Sequence, residues 1–201
     1  MAGTINCNTE FGVPIFDISL ADFKQHQQLL IEHFLGMRES AQSSRKSNRG
    51  DCHSDDKLFK SEHPWVVWLV QTLFQASGER VKQGGYLPTN QDVVMSGCWA
   101  NINDAGDWNS PHSHLPDIWS GVCYIDVNSK DSSVLRRDGD IIFINPLPLS
   151  IEHNRAATKT ARPKNGSLFL FRSYLLHMVA PHFDTKPRIT VAFNMKFKPA
   201  A

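Results

Sequence analysis

Apolar residues recur at helical spacing twice in the first half of the chain. The spacing predicts amphipathic helices over residues 20–38 and 64–83, the second ended by Gly84-Gly85. The positions that carry the pattern are Phe23, Leu30, Phe34 and Met37 in the first helix and Val66, Val70, Leu73 and Val81 in the second. A short strand over residues 13–17 precedes the first helix, and a polar loop over 40–56 separates the two helices.

Beyond residue 90 the pattern changes to short apolar runs separated by clusters of Gly, Pro, Asn and Asp. Such spacing is typical of strands and turns. It predicts strands at residues 93–103, 110–114, 119–127, 140–145, 167–172, 176–180 and 187–197. Helices followed by many short strands indicate a mainly β domain, a sandwich or barrel with helices packed outside. We expect a single domain over residues 1–201, in which 1–90 is a largely helical support for a β core formed by 91–201.

The last predicted strand has two chemically different faces. Side chains alternate between the faces of a strand. One face carries Ile189, Val191, Phe193 and Met195, and the other carries Arg188, Thr190, Ala192 and Asn194. A polar stripe on a core strand is costly unless something polar lies against it. The pattern therefore predicts a bound anion beside the second face.

Three histidines form a candidate metal site. His112 and His114 are two residues apart, so both imidazoles point to the same side of an extended chain. His177, at the start of another predicted strand, is the candidate third ligand. Imidazole suits Fe(II), Zn and Cu, and the usual O₂-activating iron site has two histidines and one carboxylate. Asp117 is the alternative ligand, because a turn at Leu115-Pro116 would bring it back to the metal; both ligand sets stay open.

A candidate anion pocket lies beside these histidines. Arg188 follows His177 by eleven residues, so a hairpin would bring it to the metal-bearing end. Guanidinium binds a carboxylate with two parallel hydrogen bonds. Thr190 and Tyr124 are positioned to add bonds to the same carboxylate. A dicarboxylate oxoacid would then chelate iron with one end and reach Arg188 with the other.

Other residues are candidates for the substrate mouth and its cover. Asn101, Asn103, Trp108 and Trp119 are placed to line the mouth, although strand packing and turn formation account for them equally well. The loop 129–138, which contains Arg136 and Arg137, is a candidate cover that a solvated loop explains as well. The structural alternative for Arg188 is a salt bridge with Asp140 or Asp184.

Charge and composition exclude several classes of partner. The formal net charge is +1 without a long run of one sign, which gives no electrostatic footprint for nucleic acid. No stretch approaches the ~20 apolar residues that span a bilayer, and the N-terminus lacks a secretory signal pattern. The four cysteines form no CxxC pair, so neither structural zinc nor a disulfide framework is expected. We expect a cytoplasmic protein that acts on a small molecule or a peptide, with a homodimer left open.

Several segments together resemble a known family. They are Ser47-Asn48 with Gly50 and His53-Ser54, Trp99 to Asn103, His112 with His114, Ser120-Gly121-Val122 with Tyr124, Gly166 to Phe171, Leu176-His177, and Arg188-Ile189-Thr190 with Ala192-Phe193-Asn194. This chain resembles the 2-oxoglutarate/Fe(II) oxygenases typified by bacterial and phage proteins, which belong with the prolyl-hydroxylase-like enzymes. The similarity covers most of the chain, and its specific part is the C-terminal half.

The resemblance implies a double-stranded β-helix, or jelly-roll, with Fe(II) as the metal and 2-oxoglutarate and O₂ as cosubstrates. By matching position it makes His112 and His177 metal ligands and Arg188 the oxoacid-binding residue. The expected activity is hydroxylation of an unidentified substrate with release of succinate and CO₂. Two positions depart from the family: His114 stands where Asp is commoner, and Arg172-Ser173-Tyr174 stands where a Pro and a Trp are usual. Arg172 is therefore a candidate for substrate choice or for covering the barrel edge.

Two rival functions share these residues. A three-histidine, cupin-like dioxygenase would use the same barrel and ligands without an oxoacid, and Arg188 would have no role in it. A non-enzymatic jelly-roll module that binds a sugar or an anion would keep Arg188 but would tolerate loss of His112 and His177.

Overall fold

Two helices and twelve strands make up the part of the chain that the structure describes. The computed structural model describes residues 5–10, 12–40, 48–49, 52–127, 138–147 and 157–200. The helices are α1 (Phe23–Ser40) and α2 (Pro64–Gln83), and a 3₁₀ turn covers Leu58–Lys60. The strands are β1 (Ile5–Glu10), β2 (Val13–Ser19), β3 (Asn48–Arg49), β4 (Cys52–His53), β5 (Gln91–Asn103), β6 (Trp108–His112), β7 (Trp119–Asp126), β8 (Ile141–Ile144), β9 (Thr158–Ala161), β10 (Ser167–Arg172), β11 (His177–Val179) and β12 (Arg188–Pro199).

The strands form two antiparallel sheets. The larger sheet has the order β1-β2-β10-β7-β12-β5-β4, and the smaller has the order β3-β6-β11-β8-β9. Side chains from both sheets meet in one apolar cluster that includes Phe169 and Phe171 of the larger sheet and Phe143 of the smaller. The sheets therefore face each other across a cleft, as expected of a jelly-roll.

The helices cover the other face of the larger sheet. Leu30 and Phe34 of α1 and Leu69 and Leu73 of α2 are each fully buried. They join Val191 and other apolar sheet residues in one core cluster. Positions three, four and seven residues apart lie on one side of a helix, which is why the apolar pattern of each helix becomes one buried face. None of the helices in the described residues is long and apolar enough to cross a membrane.

The predicted fold class is confirmed: the protein is mainly β, with its helices packed outside. All seven strands predicted beyond residue 90 are present, with ends that move by a few residues. Helix α1 begins at Phe23 rather than at residue 20. Four strands were not predicted, namely β1, β3, β4 and β9. Residues 1–90 therefore supply edge strands to both sheets as well as the helices. Parts of the predicted loops 40–56 and 129–138 lie outside the described residues.

Extra residues interrupt two of the ladders beside β12. Opposite the neighbours Asn194 and Met195, β5 pairs Gly97 and Met95, so Ser96 is an additional residue. Opposite Ile189 and Thr190, β7 pairs Asp126 and Tyr124, so Ile125 is additional. Such β-bulges bend a strand and redirect its side chains, and they are common next to functional sites.

Candidate active site

Three histidines converge at one end of the cleft. His112 ends β6, His114 follows it by two residues, and His177 begins β11 directly opposite His112 in the ladder. The ring centroids are 4.3 Å apart for His112 and His177, 4.9 Å for His112 and His114, and 5.2 Å for His114 and His177. One nitrogen from each ring lies within 4.8 Å of the others. Within the described part of the chain, this is the one group of three or more His, Cys, Asp or Glu side chains with that spacing.

Backbone carbonyls fix which nitrogen of two rings faces the cluster. His112 Nδ1 lies 2.6 Å from the carbonyl oxygen of Ser110, and His177 Nδ1 lies 2.9 Å from that of Leu175. A carbonyl oxygen only accepts, so each Nδ1 carries the proton and each Nε2 keeps its lone pair. Metal-bound histidines are commonly oriented in this way. The donor set therefore fits a divalent metal such as Fe(II).

Burial keeps these imidazoles in the form that binds metal. Burial holds the pKa of His177 well below its usual value, and the neighbouring His112 and His114 lower it further. Burial also lowers the pKa of His112. The ring of Phe171 packs against His177 with a centroid distance of 4.6 Å. Neutral imidazole is the ligand form, so the site is ready for a metal near neutral pH.

Asp117, the alternative ligand, lies outside the histidine group. Its Oδ1 accepts a hydrogen bond of 2.5 Å from Ser96 Oγ. Its backbone N–H donates to the carbonyl of His114, which closes a turn between the two residues. The geometry brings together three histidines rather than two histidines and this carboxylate.

Arg188 places a buried positive charge near the histidines. The residue is 1% exposed. Its guanidinium donates to the carbonyl of Ala180 at 3.2 Å and to Oδ1 of Asn103 at 3.3 Å. Neither acid suggested as a salt-bridge partner pairs with it, since Asp140 binds Arg162 and Asp184 accepts bonds from its own turn. A buried charge without a carboxylate partner is expensive, and burial lowers the pKa of this guanidinium.

Several buried polar atoms near the guanidinium have no hydrogen-bond partner among the described residues. They are Arg188 Nε, Tyr124 Oη, Asn101 Oδ1 and Asn103 Nδ2. Buried polar atoms are normally hydrogen-bonded, so these atoms indicate a polar ligand. Burial raises the pKa of Tyr124, which keeps its hydroxyl protonated and able to donate. Donors from Arg188 and Tyr124 beside Thr190 fit a carboxylate such as the far end of 2-oxoglutarate.

A cavity of about 40 Å³ connects this pocket with the histidines. Both sheets line it, and its walls include the three histidines, Arg188, Thr190, Tyr124 and Asn101. Asn101 donates to Thr190 Oγ1 at 3.4 Å, and Asn103 accepts from Arg188. The two asparagines thus lie at the inner end of the cleft, beside the guanidinium, and not at its mouth.

The structure does not bring three other candidates to the cavity. Trp119 is fully buried in the helix-side core. Arg172 lies over its ring, 4.9 Å from the centroid, and Trp108 starts β6 away from the cavity walls. Arg136 and Arg137 lie outside the described residues.

Sequence reasoning missed several residues of the site. Trp99 lines the cavity next to His114, with ring centroids 5.7 Å apart. The alternation of β5 would have found it, because Trp99 has the same parity as Asn101 and Asn103. His53 stacks on Trp99 at 5.5 Å with 15° between the ring planes. No local pattern indicates this contact, which depends on the pairing of β4 with β5.

Part of the sequence matches a known protein family. Residues 97–194 match the family model described as "Putative 2OG-Fe(II) oxygenase". That segment contains all three histidines and Arg188. No curated protein matches the sequence.

Solved structures of 2-oxoglutarate oxygenases share the fold. A prolyl-4-hydroxylase from Pseudomonas putida superposes with a TM-score of 0.64 at 15% identity, covering 90% of this chain and 92% of that one. A Trichoplax adhaerens prolyl hydroxylase, in complex with a hypoxia inducible factor peptide fragment, gives 0.65 at 14%, covering 90% and 83%. HygX from Streptomyces hygroscopicus, with nickel and 2-oxoglutarate bound, gives 0.57 at 10%, covering 90% and 81%.

At these identities the structures establish the double-stranded β-helix fold, and the family match supplies the chemistry. The buried guanidinium and the three-histidine group agree with it independently. Residues 97–194 therefore belong to the 2OG-Fe(II) oxygenase family, whose enzymes use Fe(II), 2-oxoglutarate and O₂.

Proposed function

We propose that His112, His114 and His177 hold the iron and that Arg188, with Thr190 and Tyr124, holds 2-oxoglutarate. The substrate is a small molecule or a peptide, and the reaction is hydroxylation of one of its C–H bonds. Bound together, iron and 2-oxoglutarate activate O₂, and 2-oxoglutarate leaves as succinate and CO₂ while the substrate is oxidised.

The buried guanidinium without a salt bridge is the observation that carries this proposal. Among the described residues no carboxylate forms a salt bridge with Arg188, although it is fully buried beside the cavity, and Asp107 acts on its charge only from a longer distance. A dicarboxylate would neutralise the charge through a two-pronged contact, and the Tyr124 hydroxyl would add a donor. Gly139 makes room for the guanidinium, because a Cβ there would lie 2.8 Å from its Nη1.

The protein's own residues position the reactants and exclude water. The carbonyls of Ser110 and Leu175 orient two imidazoles. Apolar side chains, among them Phe171 and Val179, line the cavity between the histidines and the guanidinium. A dry cavity strengthens the contact between Arg188 and a carboxylate.

The same observations weigh against the rivals. A cupin-like dioxygenase without an oxoacid would leave Arg188 buried and unneutralised, which costs stability without a function. A binding module would not need three imidazoles that each place one nitrogen within 4.8 Å of the others. A ligand set with Asp117 would need a carboxylate that the structure leaves outside the histidine group.

Titration with 2-oxoglutarate tests the proposal. Anaerobic protein loaded with Fe(II) is titrated while the visible absorption that accompanies binding is recorded, and calorimetry gives the affinity independently. Arg188→Ala should raise the Kd for 2-oxoglutarate about 30-fold or more, because losing one partner of a buried charge pair costs about 2–5 kcal/mol. Lys82→Ala, which removes an exposed cation from α2, is the control and should leave the Kd unchanged.

Two other results would redirect the proposal. Iron binding without any response to 2-oxoglutarate would favour the cupin-like dioxygenase. Failure of wild type to bind iron, or full iron binding by His177→Ala, would exclude the three-histidine site.

The setting of the enzyme is part of the proposal. We infer that it is cytoplasmic, since its four cysteines are free thiols, as in reducing compartments. We also infer one oxygenase domain over the whole chain, which the shared core of helices and larger sheet supports. A homodimer stays a prediction that light scattering would check.

A further inference from the structure

A second cavity, of about 300 Å³, opens on the other side of the histidines. Its walls include His112 and His114 and the ring of Trp99, all three of which also line the inner cavity. The two cavities thus meet at the imidazoles. The inner cavity contains the proposed 2-oxoglutarate pocket, so the second, which we call the outer cavity, is the remaining approach to the reaction centre.

The outer cavity has the opposite charge to the inner one. Asp56 and Asp117 contribute two carboxylates to its walls, and neither arginine nor lysine is among the described residues that line it. The inner cavity instead contains the guanidinium of Arg188. An anion is therefore favoured at the inner end of the cleft, and a cation is favoured at the outer end.

The carboxylate of Asp117 is fixed in place. The bulge in β5 places Ser96 in the wall, and its hydroxyl donates to Asp117 Oδ1 at 2.5 Å. Asp117 is partly buried, so its charge is only partly screened by water. A carboxylate with a single hydroxyl partner keeps lone pairs to accept further bonds.

Neutral polar and aromatic groups complete the wall. Asn194 is part of this wall, and its Oδ1 accepts from Ser120 Oγ at 2.8 Å. Trp99 is 8% exposed and is held by its stack on His53. An indole beside two carboxylates suits a cation that carries an alkyl stem.

We propose that the outer cavity recognises a substrate with a cationic group, a primary amine or a guanidinium, near the C–H bond that is oxidised. Asp56 and Asp117 are the residues that determine this specificity. The inference deepens the proposed function and rests on it, because the histidines define which end of the cleft reacts.

Three small probes of one shape test the charge preference directly. Butylammonium, 1-butanol and butyrate are titrated into the full-length protein loaded with 2-oxoglutarate and Zn(II), a redox-inert replacement for iron. Binding is followed by NMR through the Trp99 indole and Asn194 amide signals. Butylammonium should bind about tenfold more tightly than 1-butanol, and butyrate should bind most weakly. Equal binding of butylammonium and 1-butanol, or a preference for butyrate, would overturn the proposal. This test uses the wild-type protein alone.

Charge-neutral variants assign the preference to residues. Asp117→Asn and Asp56→Asn should each weaken butylammonium binding about three- to tenfold and leave 1-butanol unaffected. Asp92→Asn, an exposed acid on the same strand as Ser96, is the matched control and should change nothing. Thermal melting shows that each variant is folded. If Asp117→Asn and Asp56→Asn change only the affinity for Zn(II), the carboxylates serve the metal and the proposal fails.

Failure of the proposed function would look different. If wild type does not bind 2-oxoglutarate, that function is wrong. The same three probes are then compared on protein without metal or 2-oxoglutarate, where a preference for the cation would still support the outer cavity and equal binding would reject it.

Discussion

The two faces of β12 differ in composition and in how completely their groups are paired. Ile189, Val191, Phe193 and Met195 face the helices, and each is at most 1% exposed within the apolar core. Arg188, Thr190, Ala192 and Asn194 face the smaller sheet and line the two cavities. The first face is complete in itself, whereas the second contains polar groups that lack partners.

This difference distinguishes structural burial from functional burial. On the helix side, atoms without partners are isolated, such as Ser77 Oγ and Trp119 Nε1. On the cleft side they are concentrated around Arg188, where a ligand of the right charge would satisfy several together. A buried polar group costs stability unless it is paired. Until a ligand binds, the unpaired polar groups of the cleft face therefore lower the stability of the fold, and apolar packing elsewhere compensates for this loss.

The largest expected effect comes from the apolar face. Phe193→Ala should lower the free energy of unfolding by about 3–5 kcal/mol, because it leaves a cavity in a packed core. Its ring lies against the backbone of Gly121, where an added Cβ would be only 2.2 Å away. Gly121 has no side chain that could move into the space left by the ring. Urea denaturation measures the loss. Lys196→Ala, exposed on the same strand, is the control, and a loss below about 1 kcal/mol for Phe193→Ala would contradict the comparison.

The polar face should respond in the opposite direction. Arg188→Met should raise the free energy of unfolding by about 1–3 kcal/mol, because it removes a buried charge without a carboxylate partner. The same variant should lose the stabilisation that 2-oxoglutarate gives the wild type. Urea denaturation with and without 2-oxoglutarate checks both parts. A loss of stability would show that the bonds to Ala180 and Asn103 outweigh the cost of burying the charge.

Tyr124 allows a finer test of the polar face. Tyr124→Phe should raise the Kd for 2-oxoglutarate about fivefold, since one hydrogen bond contributes about 1 kcal/mol. Stability without ligand should not fall, because the hydroxyl has no hydrogen-bond partner in the described residues. Calorimetry and thermal melting measure the two quantities. An unchanged Kd would mean that the hydroxyl faces something other than the oxoacid.

The smallest expected effect is a pH dependence of stability that comes from a pair of histidines beside the two helices. His33 of α1 and His63, which precedes α2, have ring centroids 4.0 Å apart. Burial, and then the charge of His63, lower the pKa of His33 from 6.5. The folded state thus binds fewer protons than the unfolded chain as pH falls below 6.5, so stability is present above that value and decreases below it. Melting between pH 7.5 and 5.5 should show a smaller drop for His33→Gln than for wild type, and equal drops would exclude the pair as the cause.

Alternation along strands made the core of the site predictable from sequence. A period of two places Arg188 and Thr190 on one face and Phe193 on the other, as the structure has them. The spacing of His112 and His114 likewise places both imidazoles on one side. The same rule applies to β7. Tyr124 points into the cleft, whereas Trp119 and Cys123, which are an even number of residues apart, both lie in the helix-side core.

Contacts between distant segments account for what the sequence did not reveal. His53 reaches the site because β4 pairs with β5, and Asp56 because the chain beside it pairs with Cys98. Neither segment has a pattern of its own. β1 and β9 are edge strands whose sequences are mostly polar, so they give no alternating apolar pattern by which strands are recognised.

The bulge at Ser96 also has a consequence for insertions and deletions in this part of the chain. Removing Ser96 itself would let β5 and β12 pair without interruption. Adding or removing a residue elsewhere in β5 would exchange the faces of every residue on one side of the change, because side chains alternate along a strand. Without Ser96, Met95 would stay opposite Met195, but Asp117 would lose its hydroxyl partner. Substitution is tolerable at many positions of these two strands, whereas a shift of one residue is not. In related sequences, gains and losses of residues should therefore fall in the connections and spare the segment from Gln91 to Asn103.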